Sequence, residues 1–152
     1  MKKTRRHVCE TELDASPKTV FQLLITPSAI REWWQASRAI VDAREGGVWG
    51  AAWGSSEDDP DYTGFYRIGA FVPPRRIVFT DAKYYAKTGP LPFKADFVTE
   101  FLIHPTAGGC VLQVTQDGFP VDPVADDFYK ACEIGWKNTF AGIHAYLEKR
   151  KK

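Results

Sequence analysis

The spacing of apolar residues along the chain changes twice. From Arg6 to Leu13, polar and apolar side chains alternate, as in a strand with one wet face. Two short helices are predicted next, because Ser16-Pro17 and Thr26-Pro27 each place a capping residue before a proline. Between Ser37 and Thr115 the period is two, with turn residues separating six strands. The stretch from Asp122 to Lys149 returns to steps of three and four, which predicts one long amphipathic helix.

The predicted C-terminal helix has a start signal and an apolar stripe. Asp122 can cap it, Pro123 suits the first helical position, and Asp126 and Asp127 suit the positive end of its dipole. The stripe is formed by Phe128, Cys132, Gly135, Trp136, Thr139, Phe140, Ile143 and Leu147. A helix of roughly 40 Å with such a stripe requires a broad apolar surface beneath it.

The order of strand, two helices, six strands and one long helix predicts an α+β fold. Hairpin-length connections favour an antiparallel meander, so we expect a curved seven-stranded sheet wrapped around the long helix. A curved sheet cannot touch a straight helix everywhere, which predicts a cavity between the two. The longest irregular stretch, Asp81 to Lys94, is expected to be a mobile lid at its mouth. The predicted strands after the helices are Arg38–Asp42, Val48–Trp53, Thr63–Val72, Arg76–Thr80, Asp96–His104 and Cys110–Gln116.

Composition narrows the classes of protein. A chain of 152 residues with 44% apolar and 14% aromatic residues predicts one domain, 1–152, with one core. A net charge of +1 predicts neither nucleic-acid binding nor attraction to an anionic membrane. No apolar run is long enough for membrane insertion, and the charged N-terminus does not resemble a signal peptide. Three cysteines without paired spacing suggest reduced thiols and a cytoplasmic location.

The sequence contains little evidence for a metal site or a nucleotide-binding site. The three histidines, His7, His104 and His144, have no partners at the spacing of metal ligands, so we expect neither a metal nor a cofactor. The acidic segment from Glu57 to Asp61 is interpreted as a solvated loop, with a weak cation or partner site as the alternative. The chain has no glycine-rich phosphate loop and no serine elbow.

Aromatic residues carry the main signal for function. Those predicted to face the space between sheet and helix are either plain core or the wall of a cavity. In the second interpretation Tyr66, Thr99, Gln116 and Asp81 are its polar groups, with Asp81 at the mouth. The candidate ligand-binding residues are Trp49, Trp53, Tyr66, Phe79, Asp81, Phe97, Thr99, Phe101, Gln116, Phe128, Cys132, Trp136 and Phe140.

Several local strings, in order along the chain, resemble one protein family. They are Ala15-Ser16-Pro17 with Val20-Phe21; Trp33-Trp34; Asp42-Ala43-Arg44-Glu45-Gly46-Gly47 with Trp49; Pro73-Pro74-Arg75-Arg76-Ile77; Gln116-Asp117-Gly118-Phe119; and Gly135-Trp136 with Tyr146-Leu147-Glu148. Together they resemble the START-like (SRPBCC) superfamily, and within it the branch named for the activator of the heat-shock protein 90 ATPase. The resemblance implies the helix-grip (START/Bet v-like) fold and a hydrophobic cavity. Asp81 departs from the pattern, because an aromatic or apolar residue is expected there.

The resemblance does not imply a single activity, since its members bind lipids, hormones or polyketides and a few are cyclases. We expect binding of a small hydrophobic or aromatic ligand without turnover, because the inward faces offer few titratable groups. Two alternatives stay open: a cyclase-like enzyme that acts on a hydrophobic substrate, and a chaperone-partner domain of the ATPase-activator type. The pattern is compatible with a monomer or a homodimer, and it does not identify the ligand.

Overall fold

The computed structural model describes residues 3–150 and confirms the predicted order of elements. A 3₁₀ turn, Pro123–Ala125, precedes the long helix, α3. The elements are β1 Thr4–Leu13, α1 Pro17–Ile25, α2 Pro27–Trp33, β2 Arg38–Val41, β3 Val48–Trp53, β4 Tyr62–Val72, β5 Arg76–Ala86, β6 Val98–Thr106, β7 Gly109–Pro120 and α3 Asp126–Lys149.

The seven strands form one antiparallel sheet in the order β1-β7-β6-β5-β4-β3-β2. The two short helices and α3 contribute their buried side chains to a single core with the sheet. From α3, these are Trp136, Phe140, Ile143 and Leu147. The α+β helix-grip prediction is therefore confirmed.

The starts of α1 and of the 3₁₀ turn follow the predicted capping chemistry. The prediction is wrong for Thr26 before α2, which makes no side-chain cap because its hydroxyl donates to the Gln22 carbonyl oxygen at 2.6 Å. The Ser16 hydroxyl accepts a hydrogen bond from the Thr19 backbone N–H at 3.2 Å, which caps α1. The Asp122 carboxylate accepts one from the Val124 N–H at 3.0 Å, at the start of the 3₁₀ turn. Later in α3, Gly142 lies against the Trp33 carbonyl oxygen, and an added Cβ would overlap that oxygen. A glycine at this position allows α3 to approach the end of α2 closely.

The boundaries of β5 correct the sequence prediction. Asp81 to Lys94 was predicted to be irregular, but β5 continues to Ala86 and pairs with β4 as far as Tyr62. Arg67 pairs with Thr80 and Phe65 with Lys83, so β5 contains one extra residue at this point. Asp81 has a φ of 52°, as expected for a β-bulge residue in the left-handed region. The irregular connection is confined to residues 87–97.

Of the helices within residues 3–150, none combines the length and apolar character needed to cross a bilayer. That part of the chain also contains no group of three His, Cys, Asp or Glu side chains arranged to hold a metal ion.

Candidate functional site

A row of residues crosses the inner face of the sheet and joins five of the predicted contacts. Trp49 on β3 pairs with Tyr66 on β4, whose ring centre lies 5.6 Å from that of Phe79 on β5. Phe79 pairs with Thr99 on β6, and Thr99 pairs with Gln116 on β7. We call these five residues the central row. Backbone pairing thus joins Trp49 to Tyr66 and connects Phe79, Thr99 and Gln116, while a ring contact links the two groups.

The helix α3 covers this row with Trp136. The Trp136 indole N–H donates a 2.7 Å hydrogen bond to the Gln116 side-chain oxygen. The Trp136 ring lies 5.9 Å from the Phe101 ring and 6.5 Å from the Phe140 ring. Cys132, one turn earlier, is half-buried, and burial raises the pKa of its thiol to about 12. The predicted residues of sheet and helix thus meet in one place.

Tyr66 is a half-buried polar residue in this arrangement. Burial, with smaller contributions from Cys132 and Tyr84, raises the pKa of its phenol to about 12, so the group is neutral over the usual pH range. The hydroxyl lies over Gly64, and an added Cβ there would be only 3.0 Å from the Tyr66 oxygen. A glycine at this position therefore leaves the space beside the hydroxyl free of a side chain.

The Tyr66 hydroxyl has no hydrogen-bond partner within residues 3–150. In the same part of the chain, every side-chain nitrogen or oxygen that is wholly enclosed has a partner. The Tyr66 oxygen must therefore reach accessible space. The Thr99 hydroxyl and the Gln116 amide nitrogen meet the same two conditions. We use the name recess for the part of the sheet–helix interface in which these three groups lie.

Phenylalanine rings cluster around Phe128, near the start of α3. Phe128 on α3 lies 5.8 Å from Phe97, 5.8 Å from Phe93 and 6.3 Å from Tyr84, measured between ring centres. Phe93 belongs to the connection 87–97, so this connection supplies part of the wall. Phe97 also packs edge-on against Phe119 at 4.9 Å. The predicted contacts Phe97 and Phe128 are half-buried in this group.

Sequence reasoning missed Trp34, which connects the aromatic residues on the other side. Its ring lies 5.5 Å from Trp49, 5.6 Å from Trp53 and 6.1 Å from Trp136. Its indole N–H donates to the Thr139 hydroxyl at 2.9 Å. The sequence signal was the Trp33-Trp34 pair, and the two rings stack on each other with their centres 4.8 Å apart.

The structure does not place Asp81 at the recess. Its side chain is 62% exposed and lies 3.5 Å from the guanidinium of Arg67, which is itself exposed. The expectation that Asp81 lies at the cavity mouth is wrong, because the bulge at this residue changes the direction of its side chain.

A buried histidine was also missed. His7 on β1 is register partner to Gln116, and its ring stacks on Tyr129 of α3 at 3.8 Å. Its Nε2 lies 2.7 Å from the Tyr129 carbonyl oxygen, so this nitrogen carries the proton and donates it. The alternation along β1 that places Leu13 inward also places His7 inward, so the burial of His7 could have been predicted from the sequence. His144, by contrast, lies 2.8 Å from the Thr11 hydroxyl in an exposed position.

Two surface depressions of about 510 and 480 Å³ lie away from the central row. The larger is bordered by Glu12, His144 and the turn between β6 and β7, and the smaller by charged residues on the outer face of the sheet. Neither includes a residue of the central row. Their linings are open and charged, so they do not suit an apolar ligand.

Comparison with protein families gives one match. A family model described as "Activator of Hsp90 ATPase homolog 1-like protein" matches residues 14–148. The chain belongs to this family. The match confirms the resemblance drawn from the sequence. In this Hsp90 ATPase activator-like chain the matched region begins directly after β1 and ends one residue before the end of α3. No curated protein sequence matches the chain.

Solved structures with the same fold come from several bacteria. Protein MLL2253 from Mesorhizobium loti is 21% identical, with a TM-score of 0.76 over 95% of this chain and 98% of that one. An uncharacterized protein from Rhizobium leguminosarum is 22% identical, with a TM-score of 0.76 over 98% and 97%. CalU16 from Micromonospora echinospora is 16% identical, with a TM-score of 0.65 over 97% and 85%. At these identities the likeness establishes the fold of this family member and not its ligand.

Proposed function

We propose that this chain binds a small hydrophobic or aromatic molecule in the recess between the sheet and the first half of α3, residues 126–137. The observation that supports the proposal is the Tyr66 hydroxyl, which is enclosed by rings, faces a glycine and lacks a partner within residues 3–150. An enclosed polar group is stabilised when it finds a hydrogen-bond partner, and a ligand can supply one. The surrounding rings supply apolar contact.

Binding without turnover fits the chemistry of the central row. Its polar groups are two hydroxyls and one amide, which orient a molecule but do not exchange protons readily near neutral pH. The nearest histidine, His7, already donates to the Tyr129 carbonyl. The thiol of Cys132 has a raised pKa, which disfavours the nucleophilic thiolate.

The connection 87–97 is proposed as the movable cover of the recess. Phe93 contacts Phe128 and Phe97 through ring edges, and a change in this loop would open that end without disturbing the strands. Amide hydrogen exchange checks this: residues 87–97 should exchange faster than β4 and β7 without ligand, and slower with it. Protection equal to that of the strands in the free protein would contradict a cover.

A thermal-shift screen of flavonoids, fatty acids and small aromatics tests binding. A ligand at about 100 times its dissociation constant should add about 2.7 kcal/mol of stability. Tyr66→Phe should weaken the binding of any hit, because it removes the unpaired hydroxyl. Tyr85→Phe is the matched control, since Tyr85 is 52% exposed and outside the central row. The proposal fails if no compound binds, or if both variants bind like the wild type.

A cytoplasmic location belongs to the same proposal and is supported by three cysteines that form no disulfide. Three points stay predictions: that the chain is a monomer or a homodimer, that it holds no metal or cofactor, and that a chaperone is an alternative partner. Native mass spectrometry of the purified chain addresses ligand and oligomeric state together.

A further inference from the structure

We infer that the ligand carries a neutral hydrogen-bond acceptor, such as a ketone, lactone or ether oxygen, that faces the Gln116 amide nitrogen, and that Trp136 sets this selectivity. The inference rests on the proposed function and specifies the class of ligand.

The orientation of the Gln116 amide follows from its contact with Trp136. An indole N–H can only donate a hydrogen bond, so the Gln116 atom that it meets at 2.7 Å must be the carbonyl oxygen. The other arm of the amide is therefore the NH₂ group, which has two donors and no acceptor. Without Trp136, the two arms could exchange by a half-turn, and the amide could offer either chemistry.

The NH₂ group is directed to the recess and not to another protein group. It has no partner within the described part of the chain, and it is not wholly enclosed. Its neighbour in the row, Thr99, carries a hydroxyl that can rotate to donate or accept. The Tyr66 hydroxyl has the same freedom. The Gln116 NH₂ is therefore the one group among these three that can only donate, and it imposes the chemical requirement on the ligand.

A neutral acceptor suits the recess better than a carboxylate. The five residues of the central row include no lysine or arginine, and Trp136 and Cys132 above it are uncharged at neutral pH. A carboxylate would lose its hydration without gaining a cation in this row. A ketone or ether oxygen has a smaller hydration loss and accepts the same hydrogen bond.

The test uses pairs of compounds that differ at one position: 9-fluorenone with fluorene, and flavone with flavan. Isothermal titration calorimetry gives both dissociation constants of each pair. Wild-type protein should bind the ketone at least about fivefold more tightly, because the hydrocarbon leaves the amide donor unpaired. Gln116→Leu should bring the ratio close to one. Trp136→Phe should reduce the ratio, because the Gln116 amide of this variant can rotate and present either its oxygen or its NH₂ group to the ligand.

Tyr85→Phe is the control. Tyr85 is 52% exposed and lies outside the central row, so removing its hydroxyl should leave the ratio at the wild-type value. A wild-type ratio near one, with both members bound, overturns the inference and leaves ligand binding intact. A ratio that survives in Gln116→Leu also overturns it. If no member of any pair binds, the proposed function fails as well. Circular dichroism checks folding, and if Trp136→Phe does not fold, the Gln116→Leu ratio decides.

Discussion

The two halves of α3 share one apolar stripe but have different surroundings. In the second half, residues 138–149, Ile143 is fully buried and Phe140 and Leu147 nearly so, all within the main core. In the first half, Phe128 and Cys132 are only half-buried, and polar atoms of the opposite sheet face accessible space. The same spacing of apolar residues thus serves packing at one end and a recess at the other.

The cause of this difference is what covers each half. The short helix α2 contacts α3, and Gly142 lies directly against the end of α2. Near the first half, Gly64 leaves space beside Tyr66, and ring edges from the connection 87–97 form the wall. The apolar side chains of α3 are buried where another helix packs against them, and only partly buried where a loop covers them.

Trp136 stands at the junction of the two halves, and its loss should have the largest effect. Trp136→Ala removes a buried ring and the partner of Gln116, so we expect a loss of about 3–5 kcal/mol in the free energy of unfolding. Urea unfolding measures this. A loss below about 1 kcal/mol would mean that the second half alone supports the fold.

A pair of truncations compares the halves directly. Ile143→Ala should cost about 3 kcal/mol, because Ile143 is fully buried in the core. Cys132→Ala should cost less than about 1 kcal/mol, because Cys132 is half-buried and its site is not closed. Chemical unfolding of both variants provides the comparison, and equal costs would show that the halves are packed alike.

An alkaline titration probes how well the recess excludes water. Burial raises the pKa of Tyr66 from 10.0 to about 12, so above pH 10 the unfolded chain loses this proton before the folded protein does. The stabilisation is complete below pH 10 and disappears as the pH rises to about 12. Tyr66→Phe should therefore lose less stability over this range than the wild type, by on the order of 2 kcal/mol.

If Tyr66→Phe follows the same dependence of stability on pH as the wild type, water already reaches the Tyr66 phenol in the folded protein.

Two glycines of α3 should respond to the same substitution with opposite sign. Gly142→Ala brings a methyl group against the Trp33 carbonyl, and we expect a loss of about 1–2 kcal/mol. Gly135→Ala meets no atom within 4 Å, so improved helix propensity should add up to about 1 kcal/mol. Thermal unfolding of the two variants gives the sign, and stabilisation of both would exclude the tight contact between α2 and α3.

The sequence was sufficient for the order of the elements and for the face of the sheet on which several predicted residues lie. Alternation placed Tyr66, Phe79 and Thr99 on one face, and steps of three and four placed Trp136 above them. The prediction failed where one residue broke the alternation. Past the bulge at Asp81, the inward positions of β5 shift from odd to even residue numbers. A strict period of two therefore ends the predicted strand before Tyr84, although Tyr84 belongs to β5.

Contacts between distant elements were beyond the sequence. Nothing local to Gln116 or Trp136 indicates that they bond across 20 positions of chain. The burial of His7 likewise depends on α3, which lies 122 positions further along at Tyr129. Such contacts depend on the curvature of the sheet and on the position at which the helix crosses it. The spacing of apolar residues predicts neither of these.

The grouping of the five tryptophans has an optical consequence. Trp34 lies within 4.8–6.1 Å of the other four rings, so excitation absorbed by any of them can pass to its neighbours before emission. The intrinsic fluorescence of the chain therefore behaves as the signal of one chromophore group and not of five independent ones. Because Trp136 belongs to this group and borders the recess, quenching or a spectral shift reports on that region without an added dye.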